Sequence, residues 1–332
     1  MDNEITKRHQ TKETIAMFTA TKGVLEGYGY ELITMAGAGH EVRILPQAGF
    51  NLYYWTFEGG ELFMEPTDIT AFGTKYGNPI LFPTPNRIRD AVYTWQGRTY
   101  TMTKRGEKVL LHGLVKDEPF AVTRLDATEE AAVCEAQIAI APGNALYEGY
   151  PFACTLTVRY TLTAAGLHMD VTVHNDGEQE MPFGFAVHPY FSKRGDANKV
   201  ALTVPCRRYY EADEALIPTG RILPVDEAKT ICDGYHTVES LYLDNVFRGM
   251  TADMESKVQY EDVIVHISAS DCFRNAVVYT PHDRPGFCIE PQTCATNFIN
   301  MHAQGLVDES GLMVLPAGQT FACTVDMTVE KR

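Results

Sequence analysis

Between Thr155 and His174 the chain alternates apolar and polar residues with almost no exception. Leu156, Val158, Tyr160 and Leu162 are interleaved with Thr155, Thr157, Arg159 and Thr161; after Ala164-Ala165-Gly166, Leu167, Met169, Val171 and Val173 are interleaved with His168, Asp170, Thr172 and His174. Period two on both sides of a glycine turn predicts a β-hairpin with one buried face. A half-apolar hairpin needs a second layer to cover it, so the pattern already favours a stacked β protein over a helical one.

Weaker forms of the pattern recur at 41–45, 52–57, 121–125, 133–140, 200–204, 258–268, 276–280 and 321–329. Turn residues separate them: Glu58-Gly59-Gly60, Trp95-Gln96-Gly97, His282-Asp283-Arg284-Pro285-Gly286 and Pro316-Ala317-Gly318. Tyr93–Met102, centred on Gln96-Gly97, reads as another hairpin. No long amphipathic helix, fixed-period repeat or low-complexity linker interrupts the series. The expected fold is therefore all-β, a large single-domain β-sandwich over 26–332, with 1–25 as an N-terminal arm or one short helix. A chain of 332 residues can bury an ample core without staples.

Charge narrows the partners. Asp plus Glu number 43 against 28 Lys plus Arg, a formal balance of −15, which repels phosphate backbones and anionic lipid heads. No apolar run reaches the roughly 18 residues of a membrane span, and Met1–Arg8 is polar. The eight cysteines are scattered, without C-x-x-C, among apolar neighbours. Reduced thiols in a cytoplasmic chain with neither nucleic-acid nor membrane partner are expected, and spacing gives a zinc site no support.

Phosphate-loop, zinc-protease and serine-hydrolase motifs are absent, and Gly27-Tyr28-Gly29 and Gly37-Ala38-Gly39 lack the third glycine of a dinucleotide fingerprint. Five segments carry chemistry instead. Asn86-Arg87-Ile88-Arg89-Asp90 follows a proline-rich stretch and offers a planar guanidinium, or else a surface Arg89–Asp90 ion pair. His112 sits in Leu110-Leu111-His112-Gly113-Leu114, and His188 in an aromatic stretch just before Pro189; each reads as a satisfied core histidine or as an acid–base group. Asp244 interrupts the apolar run 241–247, as a turn cap or a residue in need of a polar cleft. Glu290 ends the apolar run Phe287-Cys288-Ile289, where partial burial would raise its pKa toward that of a useful base; pairing with an arginine is the alternative. Together these suit binding and proton transfer on a neutral, hydroxyl-rich ligand such as a sugar.

In order and spacing, Asn86-Arg87-Ile88, the 92–100 hairpin, Leu111-His112-Gly113, His188-Pro189-Tyr190-Phe191, Leu243-Asp244-Asn245-Val246-Phe247 and Glu290-Pro291-Gln292 resemble the aldose 1-epimerase (galactose mutarotase) family over roughly 30–330. The resemblance implies a β-supersandwich, interconversion of sugar anomers and no cofactor. It makes Glu290 the general base and His188 the general acid, facing each other across a sugar ring. It places Arg87, His112, Asp244 and Asn86 at the positions that hold the substrate, with His112 close to the ring oxygen. Arg89-Asp90 departs from the family's pattern and leaves open a charged sugar, a hexose 6-phosphate or sulfonated hexose, with Arg89 as the extra cation. A non-catalytic carbohydrate binder using Trp55, Tyr190 or Phe287 for stacking is the other alternative. Monomer and homodimer both remain open.

Overall fold

The computed structural model describes residues 17–66, 68–69 and 76–332. Three antiparallel sheets dominate. A nine-stranded sheet runs in the order Ala121–Ala127, Ala131–Ile140, Cys154–Thr163, Gly166–Asn175, Thr320–Lys331, Val263–Ala269, Ser256–Gln259, Ala201–Thr203, His236–Thr237. A five-stranded sheet spans Thr19–Leu25 to Gly60–Glu61 in chain order. The third, eight-stranded, orders Pro218–Pro224, Arg208–Ala212, Asp244–Arg248, Asn275–Tyr279, Gly286–Gln292, Ala186–Val187 and Ile80–Leu81, with Tyr190–Ser192 also paired to Gly286–Gln292. The helices among the described residues are short, Phe298–Ala303 being the longest.

The predicted hairpin is the centre of the large sheet. Leu156 pairs with Val173, Val158 with Val171, Tyr160 with Met169 and Leu162 with Leu167, all buried. Burying such a side chain stabilises by about 1.5–3 kcal/mol, and a one-residue slip would turn the whole set to solvent, so the alternation also fixes the register. That face joins a single apolar cluster with residues of the other two sheets, including Ile33, Trp55, Ile80, Phe191 and Phe247. The all-β sandwich expected from the sequence is what forms.

Two expectations need correction. Of the stretch 1–25, residues 1–16 lie outside the described residues, while Thr19–Leu25 is a strand paired along its length with Tyr30–Gly37, not a helix. It is an edge strand whose side chains are mostly exposed, so it carries no clean alternation. The 258–268 stretch is two strands, because Glu261-Asp262 turns the chain between Ser256–Gln259 and Val263–Ala269. All eight cysteines are free. No helix among the described residues is long and apolar enough to cross a membrane.

Candidate active site

The eight-stranded sheet builds most of the site by register alone. Gly286–Gln292 is flanked on one side by the 186–192 segment, with Ala186 opposite Gln292 and Tyr190 opposite Cys288. His188 therefore falls opposite Glu290. On its other side Val277 pairs with Glu290 and Tyr279 with Cys288, and one strand further Asp244 pairs with Tyr279. Because opposed residues share a sheet face, Asp244, Tyr279, Val277, Glu290, His188 and Tyr190 all project to one side. They line a cavity of about 260 Å³ together with Asn86, Arg87, Leu111, His112 and Arg284. That volume is at the small end of ligand pockets.

Loops supply the opposite wall. Asn86 has a left-handed backbone (φ 56°), its carbonyl accepts the His112 N–H at 2.8 Å, and its side-chain oxygen accepts from the Arg87 guanidinium at 3.1 Å. The Arg87 carbonyl in turn accepts the Asn297 N–H at 2.9 Å. His112 is also left-handed (φ 65°), a strained state for a non-glycine residue. It is held there by Gly113, whose φ is 69° and whose absent Cβ would lie 2.4 Å from the Phe82 carbonyl oxygen. Gly113→Ala should cost at least about 2 kcal/mol through strain and overlap, and should displace His112. A thermal melt reads the first effect, and an unchanged melting temperature would show that the contact is not tight.

The proton-bearing groups are in contact. His188 Nε2 lies 3.1 Å from Glu290 Oε1, with the two side chains 6% and 2% exposed. The His188 ring stacks on Tyr190 at 4.7 Å and meets His112 edge-on at 5.1 Å between centroids. Burial is the main influence on all of them. It pushes the Glu290 carboxyl well above its ordinary range, with the Asp244 charge adding to the rise and Arg87 opposing it. It pulls His188 down to about 3, helped by Arg284, and drives His112 well below its usual value. Asp244, nearer the open side, is raised by desolvation against the pull of Arg87. The buried pair thus favours its neutral form, a protonated Glu290 beside a free-base His188, over carboxylate and imidazolium. The structure brings Glu290 and His188 into contact, where the family resemblance set them across a sugar ring.

All six residues singled out in the sequence, Asn86, Arg87, His112, His188, Asp244 and Glu290, line this one cavity. Arg89 does not; it is paired with Asp213 rather than Asp90 and faces a separate depression with Ala215 and Ile217. Among the aromatics, Tyr190 lines the cavity, while Trp55 and Phe287 are wholly buried against Phe63 and Phe191. Sequence reading missed Tyr279 and Arg284. Tyr279 carried a usable signal, an alternation with Val277 on the strand beside Glu290; Arg284 stood in what looked like an ordinary turn.

His188, Cys288 and Glu290 also bring one potential ligand atom each within 4.8 Å of one another. Burial raises the Cys288 thiol well above its normal pKa.

The fold and the cavity define an all-β protein with a buried carboxyl–imidazole pair at the wall of a polar cavity. A family model described as aldose 1-epimerase matches residues 31–325, and the chain belongs to that family. YihR of Escherichia coli, an uncharacterised protein, is 25% identical over 287 residues, 85% of this chain and 90% of its own. A galactose mutarotase-like protein from Clostridium acetobutylicum superposes with a TM-score of 0.86 at 21% identity, covering 95% of this chain and 99% of that one. Galactose 1-epimerase from Lactobacillus acidophilus gives 0.76 at 16% identity over 95% and 98%.

Proposed function

We propose that the protein is an aldose 1-epimerase that opens and recloses the ring of a hexose, interconverting its α and β anomers. The observation that carries this reading is the direct contact of buried Glu290 and His188 at the wall of a sugar-sized, polar cavity. Ring opening removes the proton from the anomeric hydroxyl, delivers one to the ring oxygen and breaks the bond between C1 and that oxygen. Both oxygens are bonded to C1, so the two proton-handling groups must stand side by side. A contacting pair meets that demand better than two groups on opposite faces of a pyranose.

In the working state Glu290 is the base and His188 the acid. One proton crossing their 3.1 Å contact converts the favoured neutral pair into carboxylate and imidazolium. Arg87 favours that state by stabilising the Glu290 charge. Concerted transfer means that neither a full alkoxide nor an oxocarbenium ion forms, and each positioned transfer is worth about 10²–10⁴-fold. Rotation about C1–C2 then offers the other face of the aldehyde, and both transfers reverse. Arg87, Asn86, His112 and Asp244 hold hydroxyls, with His112 beside the ring oxygen. Both groups end as they began, so the cycle needs no external acid or redox partner.

Polarimetry of freshly dissolved single-anomer aldoses tests the reading. The protein should speed the approach to the same final rotation in proportion to its concentration. No acceleration with any aldose would overturn it.

A further inference from the structure

Resting on the mutarotase reading, we propose that Asn297, which does not line the cavity, is a positioning residue for catalysis: it closes the open edge of the segment that carries Arg87 and so holds that arginine toward Glu290 and Asp244. Arg87 forms an isolated antiparallel bridge with Leu111. On that side the Ile88 N–H donates to the Leu110 carbonyl at 2.9 Å and the His112 N–H to the Asn86 carbonyl at 2.8 Å. The other edge presents the Arg87 carbonyl and the Arg89 N–H, and Asn297 meets both. Its N–H donates to the Arg87 carbonyl at 2.9 Å, and its side-chain Oδ1 accepts the Arg89 N–H at 3.2 Å. One residue thus provides the donor and the acceptor that a paired strand would provide.

The residue type follows from the backbone. Asn297 is left-handed (φ 60°) and buried, and asparagine is among the few residues with a side chain that adopt this state readily. Its own carbonyl is committed to the first turn of Phe298–Ala303, accepting the Met301 N–H at 3.0 Å, so the side chain must meet Arg89. Asn300 donates to the same Oδ1 at 2.8 Å and to the Val92 carbonyl at 2.8 Å, which fixes the amide's orientation. The run from Glu290 to Asn297 is pinned as well. The Thr293 N–H donates to the Phe185 carbonyl at 3.0 Å, the Phe185 N–H to the Thr293 hydroxyl at 2.9 Å, and the Ala295 N–H to the Ser310 carbonyl at 2.9 Å. The base and the mount of the arginine therefore share one braced stretch of chain. The chemistry feels that mount because Arg87 opposes the rise in the Glu290 pKa and so favours the carboxylate.

The test is polarimetry with α-glucose and α-galactose across a pH series, on wild type, Asn297→Gly and Asn297→Asp, each checked by a thermal melt. Glycine accepts φ 60° and keeps the N–H but lacks the Oδ1 acceptor. Asn297→Gly should lower kcat/KM by about 3- to 10-fold, the usual effect of one lost hydrogen bond, and should move the alkaline limb of the rate profile to higher pH. The sign follows from Arg87: once it is loosened, the Glu290 pKa rises further. The acid limb should stay, because His188 is governed by burial and Arg284. The other groups that face Glu290, namely His188, Asp244, Tyr190 and Cys288, make no hydrogen bond to Asn297. Asn297→Asp keeps both the acceptor and the left-handed backbone, and should recover most of the loss. A folded Asn297→Gly with wild-type kcat/KM, or with a lowered melting temperature and an unmoved alkaline limb, overturns the inference and leaves the mutarotase reading standing; so does an Asn297→Asp no better than Asn297→Gly. Acceleration of neither sugar by the wild type overturns both.

Discussion

Glu290→Gln should lower kcat for mutarotation by about 10³-fold, within the 10²–10⁴ expected for losing one positioned proton transfer, while leaving the circular dichroism spectrum intact. The amide matches the carboxyl in size but cannot take the anomeric proton. Burial raises the Glu290 pKa well above its ordinary value, so its ionised form is disfavoured in the folded state. The variant should therefore melt no lower than the wild type, and above it at alkaline pH. The sign follows from linkage: a carboxyl whose folded pKa is raised contributes stability that is present below its unfolded value and lost as pH climbs through the folded one. Removing the carboxyl removes that alkaline loss. Near wild-type turnover by a folded Glu290→Gln would take the base role away from this residue.

The rate of the wild-type enzyme should trace a bell against pH whose limbs belong to the pair rather than to its members one by one. Only the state with one proton on the two groups is competent, whichever group carries it. His188 is held near 3 and Glu290 well above its usual range. The acid limb should therefore reflect a second proton arriving mainly at His188, and the alkaline limb loss of the shared proton mainly from Glu290. This is the reverse of the simple picture in which the carboxylate sets the acid side. His188→Asn should lower kcat by a similar factor of about 10³, and the double variant should lose little more than either single one, because the residues act as a unit. A pH–kcat/KM series on wild type and both variants checks the limbs; an acid limb that persists unshifted in His188→Asn would assign it to Glu290 after all.

Much of this was readable in the linear chain. The 155–174 alternation specified the central hairpin because its side chains face a core on one side and water on the other. The blocks around Asn86, His112, His188, Asp244 and Glu290 were visible as polar residues in apolar settings. Their meeting was not visible, since it depends on the pairing of the 186–192 segment with Gly286–Gln292. Arg89 was misjudged because an arginine's availability depends on partners remote in sequence: Asp213 lies 124 residues from it. The edge strand Thr19–Leu25 was missed because pairing with one neighbour, rather than burial, holds it in place.

The contact between His188 and Glu290 joins the short link between Ala186–Val187 and Tyr190–Ser192 to the strand Gly286–Gln292 beside it, whereas Arg284 sits in the turn that precedes that strand. The two parts of the cavity are therefore separable in redesign. The segment from Pro281 to Pro285 can be lengthened or recomposed to suit new cargo, while the cross-strand spacing keeps the reactive couple aligned. A single-residue insertion inside Gly286–Gln292 ahead of Glu290 would do the opposite, rotating the carboxyl to the far side of the sheet and away from His188.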